Sequence, residues 1–258
     1  MNNEAILSAR GLTKLYGPRV GCIDIDIDLF PAEVLAIVGE SGSGKSTLLG
    51  LLSMHAAKSA GRLIYKRLDG SDVNLDELTE LERRHLLRTE WGFVQQDARD
   101  GLRMNVSAGG NVGERLMAVG WRNFGAIRSE AQDWLARVEI SADRMDEKPT
   151  AFSGGMRQRL QIARNMVTKP RLVFMDEPTG GLDVSVQARF LDLLRGLVVE
   201  NGLSVIIVTH DLAVARLLAH RIAVMREGRV VEIGLADQVL EDPQHPYSQL
   251  LVSSVLQA

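Results

Sequence analysis

The sequence predicts an α/β fold in which a parallel sheet is covered on both faces by helices, and three observations predict it. The apolar run Val34-Leu35-Ala36-Ile37-Val38 leads straight into the glycine-rich stretch Gly39-Glu40-Ser41-Gly42-Ser43-Gly44-Lys45-Ser46-Thr47, after which a helical pattern begins. Two further short apolar runs, 172–175 and 205–208, have the length and composition of buried strands. Between them, residues 187–200 carry Phe190, Leu191, Leu194, Leu197 and Val198 at helical spacing, with Asn201-Gly202 as the stop. Strands that alternate with helices imply parallel pairing.

Composition narrows the class. A chain of 258 residues, 45% apolar, is long enough to bury a full core. A net charge of -3 argues against general nucleic-acid binding. No apolar run approaches the ~20 residues that cross a bilayer, and Met1-Asn2-Asn3-Glu4 lacks the layout of a signal peptide, so the expectation is a soluble protein without membrane insertion. A single cysteine, Cys22, excludes an internal disulfide and fits a reducing cytoplasm.

Taken in order, residues 23–30 alternate isoleucine with aspartate, which puts the aspartates on the solvated face of an edge strand and gives them no chemistry. In the glycine-rich stretch, Gly39, Gly42 and Gly44 let backbone N–H groups turn inward around phosphate oxygens. Lys45 adds charge at the β- and γ-phosphates of ATP, Ser46 offers a hydroxyl to Mg2+, and the helix start adds its positive end. The middle of the chain, with a helical pattern over 127–138, reads as a mostly helical insertion. Trp91, Trp121 and Trp134 all fall there, with core packing the first expectation for each and a partner surface the second.

The strand at 172–175 ends in Asp176-Glu177-Pro178. Such a tripeptide alone is as readily a solvated turn. Behind four apolar residues and in a chain with a phosphate loop, Asp176 is read as a metal carboxylate and Glu177 as the group that orients or deprotonates an attacking water.

A second motif, Ser153-Gly154-Gly155-Met156-Arg157-Gln158-Arg159, follows the first about a hundred residues later. By composition the phosphate-loop string should arise by chance in roughly one chain in a hundred and the second in roughly one in several thousand, so chance does not explain both. The order of motifs resembles the nucleotide-binding subunits of ATP-binding cassette (ABC) proteins over essentially the whole chain. That resemblance implies an ABC-type nucleotide-binding domain: a P-loop, RecA-like parallel-sheet core with an antiparallel β subdomain and an inserted α-helical subdomain. One domain would span 1–236, with its core at 1–90 and 155–236, the helical subdomain at about 91–154, and a short tail at 237–258 ending in an amphipathic turn.

The resemblance also implies roles. Residues Gly39 to Thr47, Glu40, Ser41 and Ser43 included, cradle the phosphates; Lys45, Gln96, Glu177 and His210 are catalytic; Ser46, Gln96 and Asp176 hold Mg2+. Gln95 is adjacent to Gln96, so that assignment rests on register. Ser153, Gly154 and Gly155 would approach the γ-phosphate of ATP on a second ABC subunit, identical or related, in a head-to-tail dimer, and His210 would contact the γ-phosphate too. Tyr16 would stack on adenine, a contact of about 1–3 kcal/mol per base in nucleic-acid examples. Gly180-Gly181-Leu182-Asp183 keeps the family's aspartate, Asp183, but has glycines where the family commonly has Ser-Ala, which predicts a looser loop.

Within the family the tail Glu241-Asp242-Pro243-Gln244-His245-Pro246-Tyr247-Ser248-Gln249-Leu250-Leu251 resembles that of peptide and nickel importer ATPases. The segment from Asp100-Gly101-Leu102-Arg103 to Gly113-Glu114-Arg115 lacks the importers' Leu-Asn-Pro and, with the stretches at 86–92 and 180–189, resembles the ATPase subunits of bacterial carbon–phosphorus lyase systems. This implies a soluble lyase core, with its radical S-adenosylmethionine component, as partner. The importer reading stays as the alternative. A chromosome or repair protein would need long heptad arms between the motifs, and there are none.

Overall fold

The structure is a computed structural model that describes residues 4–256, and the chain divides into two compact units. The first takes the residues up to Leu81 and those from Ser204 onward; the second runs over Glu82–Leu203.

The first unit holds two sheets. One is antiparallel, in the order Arg19–Leu29, Leu7–Tyr16, Ala60–Lys66, Asp72–Asn74. Arg19–Leu29 is an edge strand; Ile25, Ile27 and Leu29 are buried, whereas Asp24 and Asp26 are exposed and Asp28 takes a bidentate contact from Arg10. The alternation predicted over 23–30 therefore stands. In the other sheet Val34–Val38 lies between Ser204–Val208 and Arg221–Arg226, parallel to both, and Arg229–Leu235 closes the edge antiparallel. All five residues of Val34–Val38 are buried, as a strand flanked on both sides requires. Helix Lys45–Leu52 buries Leu48, Leu49, Leu51 and Leu52.

The end of the chain is more ordered than a short tail with one turn. It forms two helices, Ala236–Glu241 and Pro246–Leu256. The entry to the second is anchored by Glu232, whose carboxylate accepts the N–H groups of Gln244 at 2.8 Å and His245 at 3.0 Å.

In the second unit Trp91–Val94 pairs in parallel with Leu172–Asp176. The predicted helical segment thus begins with a strand, because Trp91 and Val94 have a buried apolar neighbour to pair with; the Trp91 and Phe174 rings sit 5.1 Å apart. Helices follow at Ala98–Gly101, Ala108–Ala118 and Phe124–Arg137, the last started by Asn123, whose side chain accepts the Ala126 N–H. Helix Gly154–Met166 precedes the strand Leu172–Asp176, and helix Val184–Asn201 follows it, ending at Gly202 with φ 57°. Trp91 and Trp134 are core residues, while Trp121 is 40% exposed. No helix of the described residues is long and apolar enough to cross a membrane.

Candidate functional site

Each unit gathers its own share of the predicted residues. In the first, Thr209 N–H donates to Ile37 O at 3.2 Å, so His210 follows its strand at the same end of the sheet at which Gly39 leaves Val34–Val38. The loop after Val38 is shaped by close approach. Gly39 and Gly44 have φ of 149° and 104°, and a Cβ there would collide with the carbonyl oxygens of Met225 and Gly21 respectively.

Helix Lys45–Leu52 starts from Gly44 with no capping side chain, unlike the helices begun by Ser107, Asn123, Ser153, Asp183 and Asp211. A helix start of this kind presents backbone N–H groups and the positive end of the helix dipole to an anion. The tight cradle and the uncapped helix fit a phosphate chain. Lys45 is buried, and its Nζ donates to Gly39 O at 2.8 Å and Glu40 O at 2.9 Å. Glu40, Ser41, Gly42 and Ser46 are exposed, Thr47 is half-buried, and Ser43 is buried with no hydrogen-bond partner for its Oγ.

Tyr16, 49% exposed, lies close to this helix start. Its Cε2 and the Thr47 Cγ2 stand 2.8 and 2.9 Å from where a side chain on Gly21 would begin. Lys14 Nζ sits 5.0 Å from the Tyr16 ring centroid. His210 is exposed, and the next residue, Asp211, caps helix Leu212–Leu218.

In the second unit the register Val94 opposite Met175 carries Gln96 and Glu177 to equivalent places past their strands, and Gln96 Nε2 donates to Glu177 Oε2 at 3.2 Å. Glu177 has φ 41°, a left-handed backbone that costs a non-glycine residue about 1–3 kcal/mol. Gly180 N–H, donating to Glu177 O at 2.9 Å, helps to hold it there. Asp176, Gln96, Gly154, Arg157, Gly180 and Leu182 line a cleft of 650 Å³.

The loop predicted to be loose is a hydrogen-bonded turn, with Leu182 N–H also reaching Thr179 O at 3.2 Å. Ser153 and Asp183, assigned to nucleotide, each cap a helix as well: Ser153 Oγ accepts from Met156 N at 3.3 Å and Asp183 Oδ1 from Val186 N at 3.0 Å. Gly155 is buried beside Val186.

Some residues that organise the site were assigned no role from the sequence, although one of them, Gln158, lies in the second motif. Gln158, Gln161 and Asn165 form a buried polar stripe on helix Gly154–Met166. Gln161 Nε2 donates to Gln95 O at 3.1 Å, Gln158 Nε2 to the same oxygen at 3.2 Å, and Gln95 N–H donates to Gln161 Oε1. Phe93 N–H donates to Asn165 Oδ1 at 3.0 Å. The backbone of Gln95 is thus clamped to the helix, while the side chain of Gln96 reaches Glu177.

The available signal was three polar residues on the buried face of an amphipathic helix, each of which needs a partner. Asn111, fully buried, does similar work for the loop before its helix, accepting Arg103 N–H at 2.8 Å and donating to Arg103 O, Val106 O and Ser107 O. Nearby, burial and then repulsion from Arg164 push the Arg115 guanidinium down to about 10, against the attraction of Glu114.

Among the described residues no group of three or more His, Cys, Asp or Glu side chains could hold a metal. A divalent cation here would rely on hydroxyl, amide and phosphate oxygens with few carboxylates, a donor set that suits Mg2+ bound through a nucleotide.

Comparison with known proteins gives a consistent answer. A family model described as "ABC transporter" matches residues 22–180. The "Putative phosphonates utilization ATP-binding protein PhnK" of Escherichia coli K12 is 63% identical over 255 residues, covering 99% of each chain. The "Dipeptide transport ATP-binding protein DppD" of Bacillus subtilis 168 is 36% identical over 98% of this chain and 77% of its own. Among solved structures, the ATP-binding cassette MJ0796, a dimer in a post-hydrolysis state bound to ADP and Pi, has a TM-score of 0.79 and 28% identity over 89% of this chain and 98% of its own.

Proposed function

Because the chain belongs to the ATP-binding cassette (ABC) family of ATPases, we propose that it is the ATP-hydrolysing subunit of a carbon–phosphorus lyase assembly that breaks down phosphonates. The observation that carries this reading is identity along the whole chain: 63% to a protein named for phosphonate utilisation, against 36% to a dipeptide transport protein. A local feature agrees with it. Where importers have Leu-Asn-Pro, this chain has Leu102-Arg103-Met104-Asn105-Val106-Ser107, a loop tied down by Asn111.

In this reading the N–H groups of the Gly39–Thr47 loop and the Lys45 ammonium neutralise phosphate oxygens, and Tyr16 stacks on adenine. Ser46, Gln96 and Asp176 are the residues that would hold Mg2+, which when bound offsets charge on the phosphate oxygens. Glu177 takes a proton from the attacking water, and Gln96, bonded to its carboxylate, keeps it aimed. His210 contacts the γ-phosphate. Ser153, Gly154, Gly155 and Asp183 serve ATP held by a second cassette, identical or related, in a head-to-tail dimer that closes on ATP and opens after hydrolysis.

The partner is a soluble lyase core in the cytoplasm, including its radical S-adenosylmethionine component, and the carbon–phosphorus chemistry belongs to those other subunits. The test is isolation of the tagged full chain from cells grown on a phosphonate as sole phosphorus source. Lyase proteins should co-purify; a membrane-embedded pair at equal stoichiometry without them would establish the importer reading instead.

A further inference from the structure

The helix Pro246–Leu256 belongs to the same unit as the phosphate loop, and one of its residues reaches that loop. Tyr247 is buried, its ring lies 5.1 Å from the Arg226 guanidinium, and its hydroxyl oxygen accepts the Glu40 N–H at 3.1 Å. That N–H is one end of the Gly39–Glu40 peptide. The carbonyl of the same peptide accepts from Lys45 Nζ at 2.8 Å.

A peptide unit is planar, with its N–H and C=O pointing in opposite directions, so a bond that fixes the N–H also fixes the direction of the carbonyl. The two hydrogen bonds polarise one another through the amide. At Gly39, with φ 149°, the backbone has freedom that an ordinary residue lacks, so the plane depends on outside contacts for its orientation. Tyr247 is itself held from behind: its N–H donates to His245 Nδ1 at 3.1 Å, and the His245 N–H donates to the Glu232 carboxylate at 3.0 Å. A line of hydrogen bonds therefore runs from strand Arg229–Leu235 through the tail to the peptide on which Lys45 rests.

We propose that Tyr247 is a positioning residue for nucleotide binding, its hydroxyl setting the Gly39–Glu40 peptide and, through that carbonyl, the place from which Lys45 meets the phosphates of ATP. The proposal rests on the reading of Lys45 as the phosphate-binding lysine. It makes the C-terminal helix part of the nucleotide site.

The experiment compares the purified full chain with Tyr247→Phe, Gln249→Ala and Lys45→Ala, measuring the Kd of a fluorescent ATP analogue, KM and kcat for ATP, Tm, and amide exchange at Glu40. Tyr247→Phe removes only the hydroxyl. It should raise Kd and KM about two- to tenfold, the range of one net hydrogen bond, speed exchange at Glu40, and leave kcat and Tm near wild type. Gln249, whose amide bonds Pro243 O at 3.0 Å within the tail, is the control and should change neither constant. Wild-type Kd in Tyr247→Phe, with binding lost in Lys45→Ala, would overturn the proposal alone. Equal weakening in Tyr247→Phe and Gln249→Ala with a matching fall in Tm would overturn it in favour of general tail docking. Normal affinity in Lys45→Ala would overturn the phosphate-loop reading, and this proposal with it.

Discussion

Gln161 closes a two-bond ring with the backbone of Gln95: its amide oxygen accepts the Gln95 N–H, and its amide nitrogen donates to the Gln95 carbonyl at 3.1 Å. Gln161 is fully buried, so the ring is shielded from water. One residue further on, Gln96 bonds Glu177. The helix that begins at Ser153 and the glutamine that faces the Glu177 carboxylate are therefore joined through a single peptide segment, and a shift of either is felt by the other.

Replacing Gln161 with leucine keeps the volume but leaves the Gln95 N–H without its partner, while the Gln95 carbonyl retains Gln158 at 3.2 Å. The expected cost is about 1–3 kcal/mol in denaturant unfolding, the penalty of one unsatisfied donor. ATP affinity should stay near wild type and turnover should fall, because Gln96 loses its register against Glu177. A titration and a phosphate-release assay on one preparation check both; unchanged turnover would show that Gln96 holds its place without the ring.

Glu177→Gln retains an oxygen to accept from Gln96 Nε2 and so preserves the local geometry, while removing the proposed base. Hydrolysis should drop about a hundred- to ten-thousandfold, the usual contribution of a positioned general base, with ATP binding retained. Residual hydrolysis near the wild-type rate would take that role away from Glu177.

The parts of this site that were legible in the sequence are those written contiguously. Val34–Val38 and the loop after it announce strand, turn and helix in fifteen successive letters or so, and the helix over 187–200 declares both its apolar face and its glycine stop. What was not legible depends on partners far along the chain. Gln161 looks like an ordinary helix residue until its contact with Gln95 is known, 66 positions away. Tyr247 and Glu40 are separated by 207 positions. The tail reads as irregular because Pro243, His245 and Pro246 break local helical pattern, and its order comes from Glu232 on a neighbouring strand. Trp91–Val94 is too short to show a period, and is a strand because Leu172–Asp176 lies beside it.

Asp183 has an observed role as a helix cap and a proposed one toward nucleotide, and substitution can separate them. Its side chain caps helix Val184–Asn201, and asparagine caps about as well as aspartate, whereas alanine loses about 0.5–2 kcal/mol. Asp183→Asn should keep the melting temperature of the wild type but lower ATP turnover in the paired cassettes, and Asp183→Ala should lower both. Wild-type turnover in the asparagine variant would reduce Asp183 to a helix cap.

The tail anchor should respond to acid in a definite direction. Burial raises the pKa of the Glu232 carboxyl, but the Gln244 N–H, the Ser248 hydroxyl, and the N–H and ring of His245, which favour the charged form, together outweigh it and hold the group below the ordinary glutamate value of 4.5. A carboxylate depressed on folding stabilises the folded state fully above its unfolded pKa, and that contribution is lost as pH falls through the folded value. Glu232→Gln lacks the charge at every pH. The Tm of the wild type should therefore exceed that of Glu232→Gln at neutral pH, and the gap should narrow below pH 4.5 as the native carboxyl takes up its proton. At neutral pH the same substitution should speed amide exchange in the helix Pro246–Leu256, because two donors at its entry lose a charged acceptor. A gap in Tm that stays constant through the acid range would mean that the anchor works by shape, with the charge of Glu232 contributing nothing.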